Sequence, residues 1–320
     1  MNDPVSAGDL VVGILSGLAC AFFSAVSYLV SRHHGVLQRA EGRRNSGLRL
    51  LVLAHSVMGV VCIPLAWLAW PARPPDLRMV WPPLAASAGC YLVGQAAFFT
   101  ALRRVEASRL SPLLGLKLAM LAGLVTLGLG QPLDSRQWLA VSLTVAAAAV
   151  MQAGRGGVPA AALALMLSCC LCFALADLGI IRLIDALQTG GAASGAPLGR
   201  LHAGGLALAI TYAACGLIFA PLVPFLRPHT RTDWTLAAGY SVSWLLSMAG
   251  LYVCFGLVGA VFGNILQSTR GIMSVVLGAG LAQLGWHELE QKIDAATLLR
   301  RLAAAALMTA AIALYVIDLA

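Results

Sequence analysis

The segment from Leu236 to Leu284 reads LAAGYSVSWLLSMAGLYVCFGLVGAVFGNILQSTRGIMSVVLGAGLAQL and contains one charged residue, Arg270. An α-helix needs about 20 apolar residues to cross the hydrocarbon core of a bilayer. The segment therefore predicts two consecutive membrane-spanning helices, with an arginine deep inside the second. An all-α integral membrane protein follows from this pattern.

The composition of the whole chain agrees with this fold class. Of 320 residues, 60% are hydrophobic and only 11% are charged, whereas soluble domains average about 25% charged residues. A water-soluble protein of this length could not cover its surface with so few charges, so the bilayer must be its solvent. The net charge of +8 comes mainly from arginines in short segments between apolar runs. This placement is typical of contact with lipid headgroups and argues against nucleic-acid binding.

Ten apolar runs are predicted to be transmembrane helices. Two of the linkers between them are long, the arginine-rich residues 31–49 and the Gly/Ala/Ser-rich residues 185–200. The predicted helices are Leu10–Val30, Leu50–Trp70, Val80–Leu102, Ala107–Leu129, Trp138–Gln152, Pro159–Ile184, Leu201–Phe225, Leu236–Leu257, Ala260–Leu284 and Leu299–Ile317.

The chain is predicted to consist of two similar halves, residues 1–155 and 156–320, with five helices each. A weak repeat at an offset of 153 residues supports this division. Three of the aligned pairs are Trp81 with Trp234, Ser111 with Asn264, and Lys117 with Arg270. Because five is an odd number, the second half must be inserted upside down, and substrate sites of such inverted repeats lie near mid-membrane between the halves.

Two loops in the first half carry a family resemblance. Residues 99–111 read FTALRRVEASRLS, which is similar to the AL-x-x-x-x-A-S turn of the drug/metabolite transporter superfamily in its ten-helix EamA-like form. Residues 130–139 read GQPLDSRQWL, where that family has G-E-x-L-x-x-x-Q-W-x-G. Gln131 replaces the Glu, and Ala140 stands where the second Gly is frequent. The resemblance implies a ten-helix transporter with both termini in the cytoplasm. Relatives include amino-acid and metabolite exporters, and sugar-phosphate transporters that use basic residues on helices 4 and 9.

The charge distribution predicts the opposite orientation. With the N-terminus in the cytoplasm, the outward-facing linkers hold more Arg and Lys than the inward-facing ones, mainly because of residues 31–49. The positive-inside rule thus places both termini outside. The bias towards Arg over Lys, and towards Ala, Leu and Gly, is typical of a GC-rich bacterial gene and predicts an inner-membrane location.

Lys117 and Arg270 are the strongest candidates for substrate binding. Each lies deep in an apolar run, at matching positions of the two halves. A charge at mid-membrane costs about 3 kcal/mol or more, so such side chains face the protein interior or water. Two cations that face one cavity predict a site for a carboxylate or a phosphate. Alternatively, each base is neutralised by an acid and serves packing.

Polar and aromatic neighbours are predicted to orient the ligand. On the ninth predicted helix, two amides share a face with Arg270, and on the third, two residues lie four positions apart. The predicted contacts are Asn264, Gln267, Tyr91, Gln95 and Ser111. Amides in membrane helices also join neighbouring helices, which is the alternative role.

Asp177 is the only acid deep in a predicted helix, so it can neutralise at most one of the two bases. One interpretation makes it a proton-coupling carboxylate. The other makes it the structural partner of Lys117, Arg270 or Arg182.

The function predicted from these features is secondary transport of a small polar metabolite, an organic anion, by alternating access. No enzyme is predicted, because the sequence lacks a phosphate-binding glycine loop, a nucleophile elbow, paired carboxylates and a metal cluster. No cofactor is expected, and the expected partners are the substrate and membrane lipids, with the protein as a monomer or homodimer. Two alternatives stay open: a lipid-phosphate-binding flippase or membrane enzyme, and a non-transporting structural or receptor-like membrane protein.

Overall fold

A computed structural model describes residues 6–40, 46–72, 74–102, 111–128, 130, 132–152, 159–193, 198–226, 229–283 and 295–319. These residues form eleven α-helices and two 3₁₀ segments, Ser111–Gly115 and Ala220–Leu226. The α-helices are α1 (Ala7–Ala40), α2 (Ser46–Ala69), α3 (Leu77–Leu102), α4 (Leu116–Gly128), α5 (Ser135–Gln152), α6 (Ala160–Ala193), α7 (Arg200–Phe219), α8 (Arg231–Val258), α9 (Ala260–Ser268), α10 (Arg270–Gln283) and α11 (Ala295–Leu319).

Six helical segments are long and apolar enough to cross a membrane. They are Ala7–Gln38, Gly47–Ala69, Leu77–Ala101, Ala160–Gly191, Arg200–Leu226 and Arg231–Val258. Large apolar side chains such as Trp67 and Leu127 are 82% and 88% exposed, as expected for surfaces that face lipid. The part of the chain that the structure describes is therefore helical, and the protein is a multi-pass integral membrane protein. A total of ten spans stays a prediction, since the further apolar helical segments in the described ranges, Leu113–Gly128 and Leu302–Val316, are shorter.

Both long linkers were predicted wrongly, because the helices continue into them. Helix α1 extends to Ala40 and α6 extends to Ala193, so much of residues 31–49 and 185–200 is helical. Neither extension contains a proline. Hydropathy predicts where the apolar part of a helix ends. The helix itself continues until its backbone hydrogen bonds stop.

The predicted helix Ala260–Leu284 is divided into α9 and α10 by a single residue, Thr269. The backbone N–H of Thr269 donates to the carbonyl of Leu266 at 3.1 Å, and its hydroxyl donates to the same carbonyl at 2.7 Å. This tighter turn places Arg270 at the start of α10. Lys117 lies in a similar position, because α4 begins at Leu116 directly after the 3₁₀ segment.

Close packing of helices from opposite halves forms the core. The most extensive contacts are α1 with α8, α3 with α6, α2 with α7, and α5 with α11. Small residues permit these approaches, as is usual in membranes. Gly59 and Gly216 bring the backbones of α2 and α7 together, and a Cβ added at Gly250 would lie 2.5 Å from the carbonyl oxygen of Ser16. The helices thereby enclose a central cavity.

A buried carboxylate joins three helices at the end of α1 and the start of α2 and α8. Asp233 is 1% exposed and forms a capping box with Thr230 at the start of α8. Its oxygens also accept from Gln38 Nε2 at 2.8 Å and lie 3.3 Å from Nη1 of Arg49. His34 Nε2 lies 3.5 Å from the same carboxylate. This cluster connects the first half of the chain to the second.

We expect Asp233→Asn to lower the free energy of unfolding by about 3 kcal/mol, because it removes the charge that pairs with the largely buried Arg49. The melting temperature of the detergent-solubilised protein measures this effect. Asp134→Asn is the matched control, since Asp134 caps α5 through the backbone N–H of Gln137 at 2.7 Å but is exposed. Equal melting temperatures for the two variants would contradict a stabilising role of the Asp233 cluster.

Candidate functional site

The central cavity is lined by side chains from α1, α3, α4, α6, α7, α8, α9 and α10. It encloses about 830 Å³ of space between protein atoms, including the part that opens to the outside. Its lining has a polar, charged part and a wall of aromatic rings.

An ion pair between the two halves occupies the polar part. Lys117 Nζ lies 2.8 Å from Asp177 Oδ2, and their side chains are 10% and 6% exposed. The same ammonium donates to Gln267 Oε1 at 3.3 Å. Asn264 Nδ2 donates to Asp177 Oδ2 at 2.8 Å and to the carbonyl of Ala260 at 2.9 Å. One network therefore links α4, α6 and α9.

Arg270 lies on the same lining and contacts an aromatic ring. Its guanidinium carbon is 5.6 Å from the centroid of the Tyr28 ring, a distance typical of a cation–π contact. No carboxylate in the described ranges lies within 4 Å of this guanidinium. Since arginine stays protonated in proteins, the cavity holds two cations and one carboxylate. The packing interpretation thus fits Lys117 but leaves the charge of Arg270 unbalanced.

The aromatic wall is a continuous set of ring contacts. The Tyr91 ring lies 5.7 Å from Tyr212 and 6.3 Å from Trp244 between centroids. Trp244 Nε1 donates to the Tyr212 hydroxyl at 2.8 Å, and Tyr240 stacks on Trp244 at 5.8 Å. Phe173 also stacks on Tyr91, with 6.2 Å between the ring centroids. These contacts fix the rings, so the wall presents a rigid, mostly apolar surface beside the charges.

The hydroxyl of Tyr91 is already engaged by its neighbours. Gln95 Nε2 donates to it at 3.2 Å, and His55 Nε2 lies 2.9 Å from it. His55 itself is fully buried, and its Nδ1 lies 2.8 Å from the carbonyl of Leu51. Tyr91 therefore offers mainly its ring face to a ligand.

The structure brings most of the predicted site residues together. Lys117, Arg270, Gln267, Tyr91, Gln95 and Asp177 all line the cavity. Asn264 is buried outside the lining, where its amide holds the Asp177 carboxylate. Ser111 begins the 3₁₀ segment before α4, and its side chain lies outside the described part of the chain. The role of these residues as ligands stays a prediction.

Sequence reasoning missed most of the aromatic wall, including Tyr212, Tyr240 and Trp244. One signal could have identified Trp244. Tryptophans in membrane proteins concentrate at helix ends, at the level of the headgroups, but Trp244 lies in the middle of α8. A tryptophan at that depth needs a hydrogen-bond partner inside the protein, which Tyr212 supplies.

The sequence pattern that defines the EamA-like transporter family matches residues 11–153. This match confirms the resemblance predicted from the loops of the first half. Over these residues the chain is similar to a family of membrane transporters. The fold is similar to that of a protein whose crystal structure has been solved, with a TM-score of 0.68. The superposition covers 94% of this chain and 95% of the other chain, and 14% of the residues are identical. At that identity the likeness concerns the fold alone. A search of curated proteins found no match.

Proposed function

We propose that the protein is a secondary transporter that moves a small organic anion across the membrane by alternating access. The observation that carries this proposal is the unbalanced charge of Arg270 inside the central cavity. A cation inside a membrane protein is costly without a counter-charge, and an anionic substrate would supply the missing partner. Similarity to the EamA-like transporter family supports transport as the function.

The two halves, residues 1–155 and 156–320, are proposed to be inverted repeats that rock against each other. The helix pairing supports this arrangement. Exchanging the first segment of each half (α1 with α6) and the third (α3 with α8) converts the α1–α8 contact into the α6–α3 contact. Exchanging the second segment of each half (α2 with α7) and the fifth (α5 with α11) maps the α2–α7 and α5–α11 contacts onto themselves. The cavity then lies between the halves, where inverted repeats place their substrate sites.

Each charged residue has a distinct role in this proposal. Arg270 can bind a carboxylate or phosphate through two parallel N–H donors. Lys117 adds a second positive charge, and Gln267, whose amide oxygen accepts from Lys117, adds an amide to the lining. The rings of Tyr91 and Trp244 pack against the apolar part of the substrate. Asp177 prevents the empty cavity from carrying two unbalanced cations.

The proposal is tested with pairs of compounds that differ only in charge, such as a carboxylic acid and its primary amide. Binding at a hundredfold excess over Kd stabilises a protein by about 2.7 kcal/mol, so a thermal-shift assay detects it. We expect the carboxylates to stabilise the protein and to enter proteoliposomes, and the amides to do neither. Amides or cations that stabilise the protein as strongly as carboxylates would overturn the anion assignment.

A further inference from the structure

The cationic site already holds an anion of the protein's own, the carboxylate of Asp177. Its Oδ2 lies 2.8 Å from Lys117 Nζ, at the distance of a strong charge-assisted hydrogen bond. Both side chains line the cavity that would hold a substrate. A substrate carboxylate that reached Lys117 would therefore meet a group of its own charge.

The charged neighbours of Asp177 are few. Among the described residues that line the cavity, only Lys117 of α4, Arg270 of α10 and Asp177 itself carry a formal charge. The other titratable groups that face this space are tyrosines on α1, α3, α7 and α8, namely Tyr28, Tyr91, Tyr212, Tyr240 and Tyr252. Tyrosines are neutral near pH 7. The ionisation of Asp177 thus decides whether the cavity has a net charge of +1 or +2.

The hydrogen bonds around Asp177 suit both of its protonation states. Asn264 is held by the carbonyl of Ala260 and donates to Oδ2. A protonated carboxyl still accepts such a bond at one oxygen, so the side chain does not need to move. Lys117 has three N–H donors, of which Asp177 and Gln267 take two. A substrate carboxylate can therefore replace that of Asp177 while the bond to Gln267 is kept.

We propose that Asp177 competes with the anionic substrate for Lys117, so that substrate binding is linked to the uptake of one proton by Asp177. This inference rests on the proposed function. A proton from water forms an O–H bond on Asp177 while the ammonium exchanges the Asp177 carboxylate for that of the substrate. One negative and one positive charge enter together, so the cavity keeps its net charge of +1. The transporter would then carry an anion and a proton in the same direction.

The sign of the pH dependence follows from this competition. Ionised Asp177 opposes the anion, and protonated Asp177 does not. Anion binding therefore tightens as the pH falls, by at most about tenfold per pH unit for one proton. If Asp177 were only a structural partner of Lys117, removing its charge would disturb the site and weaken binding at every pH.

Benzoate is a suitable probe, because its own carboxylate stays ionised between about pH 6 and about pH 8. Its binding to the full-length protein in detergent is measured at both pH values for wild type, Asp177→Asn and Asp185→Asn. Asp185 is the matched control, since it lies eight residues further along α6, is exposed and does not line the cavity. Asparagine keeps an oxygen that can accept from Asn264 and Lys117.

We expect Asp177→Asn to bind benzoate at least about tenfold more tightly than wild type at pH 8 and to lose the pH dependence. Asp185→Asn should behave like wild type. A second measurement needs no variant: adding benzoate to weakly buffered wild-type protein should raise the pH as protons are taken up. Benzoate binding without proton uptake, or weaker binding by Asp177→Asn, would overturn the linkage while the proposed function stands. If neither protein binds benzoate at either pH, the anion site itself is refuted.

Discussion

A Gly216→Val protein will not accumulate in a folded form. Gly216 of α7 faces Gly59 of α2, and a Cβ at position 216 would overlap the Cα of Gly59 and lie 3.0 Å from the carbonyl oxygen of His55. Overpacking a core with extra methyl groups costs about 1–3 kcal/mol when side chains can adjust, but main-chain atoms of two packed helices cannot move aside alone. Helices α2 and α7 would have to separate. Size-exclusion chromatography of the detergent extract should show at least about a tenfold loss of the monodisperse peak.

The matched control lies on the same helix. Gly205 of α7 is exposed, and a Cβ added there meets no atom within 4 Å. Gly205→Val should therefore elute like wild type and at similar yield. Gly59→Val tests the contact from its other side, because its Cβ would lie 2.7 Å from the Cα of Gly216. A Gly216→Val protein with wild-type yield and elution would show that the two backbones do not approach so closely.

The same crossing positions part of the cavity. His55 of α2 lies one turn before Gly59, and its Nε2 holds the hydroxyl of Tyr91 at 2.9 Å. The His55 ring also lies 6.4 Å from the Tyr212 ring of α7, between centroids. Displacement of α2 from α7 would therefore disturb Tyr91 and Tyr212 together. The close approach of small residues thus determines which rings form the aromatic wall.

The class of the protein was predictable, because lipid excludes charge so strongly that composition alone indicates a membrane fold. Helix ends were less predictable. Polar residues such as His34 and Gln38 continue α1 past its apolar part, since any hydrogen-bonded turn can extend a helix beyond the bilayer. The break at Thr269 has a similar cause, because threonine can bond to a carbonyl of its own helix and tighten one turn.

The partner of Asp177 could not be predicted from the sequence. Three cations were candidates, and Lys117 is sixty residues away in the chain. The structure excludes Arg182, which is exposed and donates to the carbonyl of Gly128 at 3.0 Å. Arg270 contacts a tyrosine ring instead. The rotation of each helix about its own axis decides these pairings, and that rotation depends on packing contacts that single-sequence patterns do not contain.

An Arg270→Gln protein will fold but transport organic anions about a hundredfold less efficiently, as expected when a charged hydrogen bond worth about 3 kcal/mol is lost. The substitution leaves the Lys117–Asp177 pair intact, and this pair is neutral as a whole. The cavity then has no net positive charge to attract an anion. Arg270→Lys should lie between the two, because lysine keeps the charge but lacks the planar fork that binds a carboxylate through two parallel bonds. Initial rates of benzoate uptake into proteoliposomes, measured over a range of concentrations, give kcat/KM for each protein.

Arg182→Gln is the control that distinguishes the loss of Arg270 from a general effect of removing an arginine. The Arg182 side chain is exposed and lies outside the cavity lining, so the kcat/KM of this variant should stay within about twofold of wild type.

The selectivity between an anion and its amide is a stricter test than the uptake rate alone. Wild type should prefer benzoate to benzamide, and Arg270→Gln should lose most of that preference, because the amide never gained from the guanidinium. If Arg270→Gln keeps the wild-type preference, Arg270 does not select the anion and Lys117 must do so alone. If Arg182→Gln loses as much activity as Arg270→Gln, the effect reflects the charge of the whole protein and not the chemistry of the cavity.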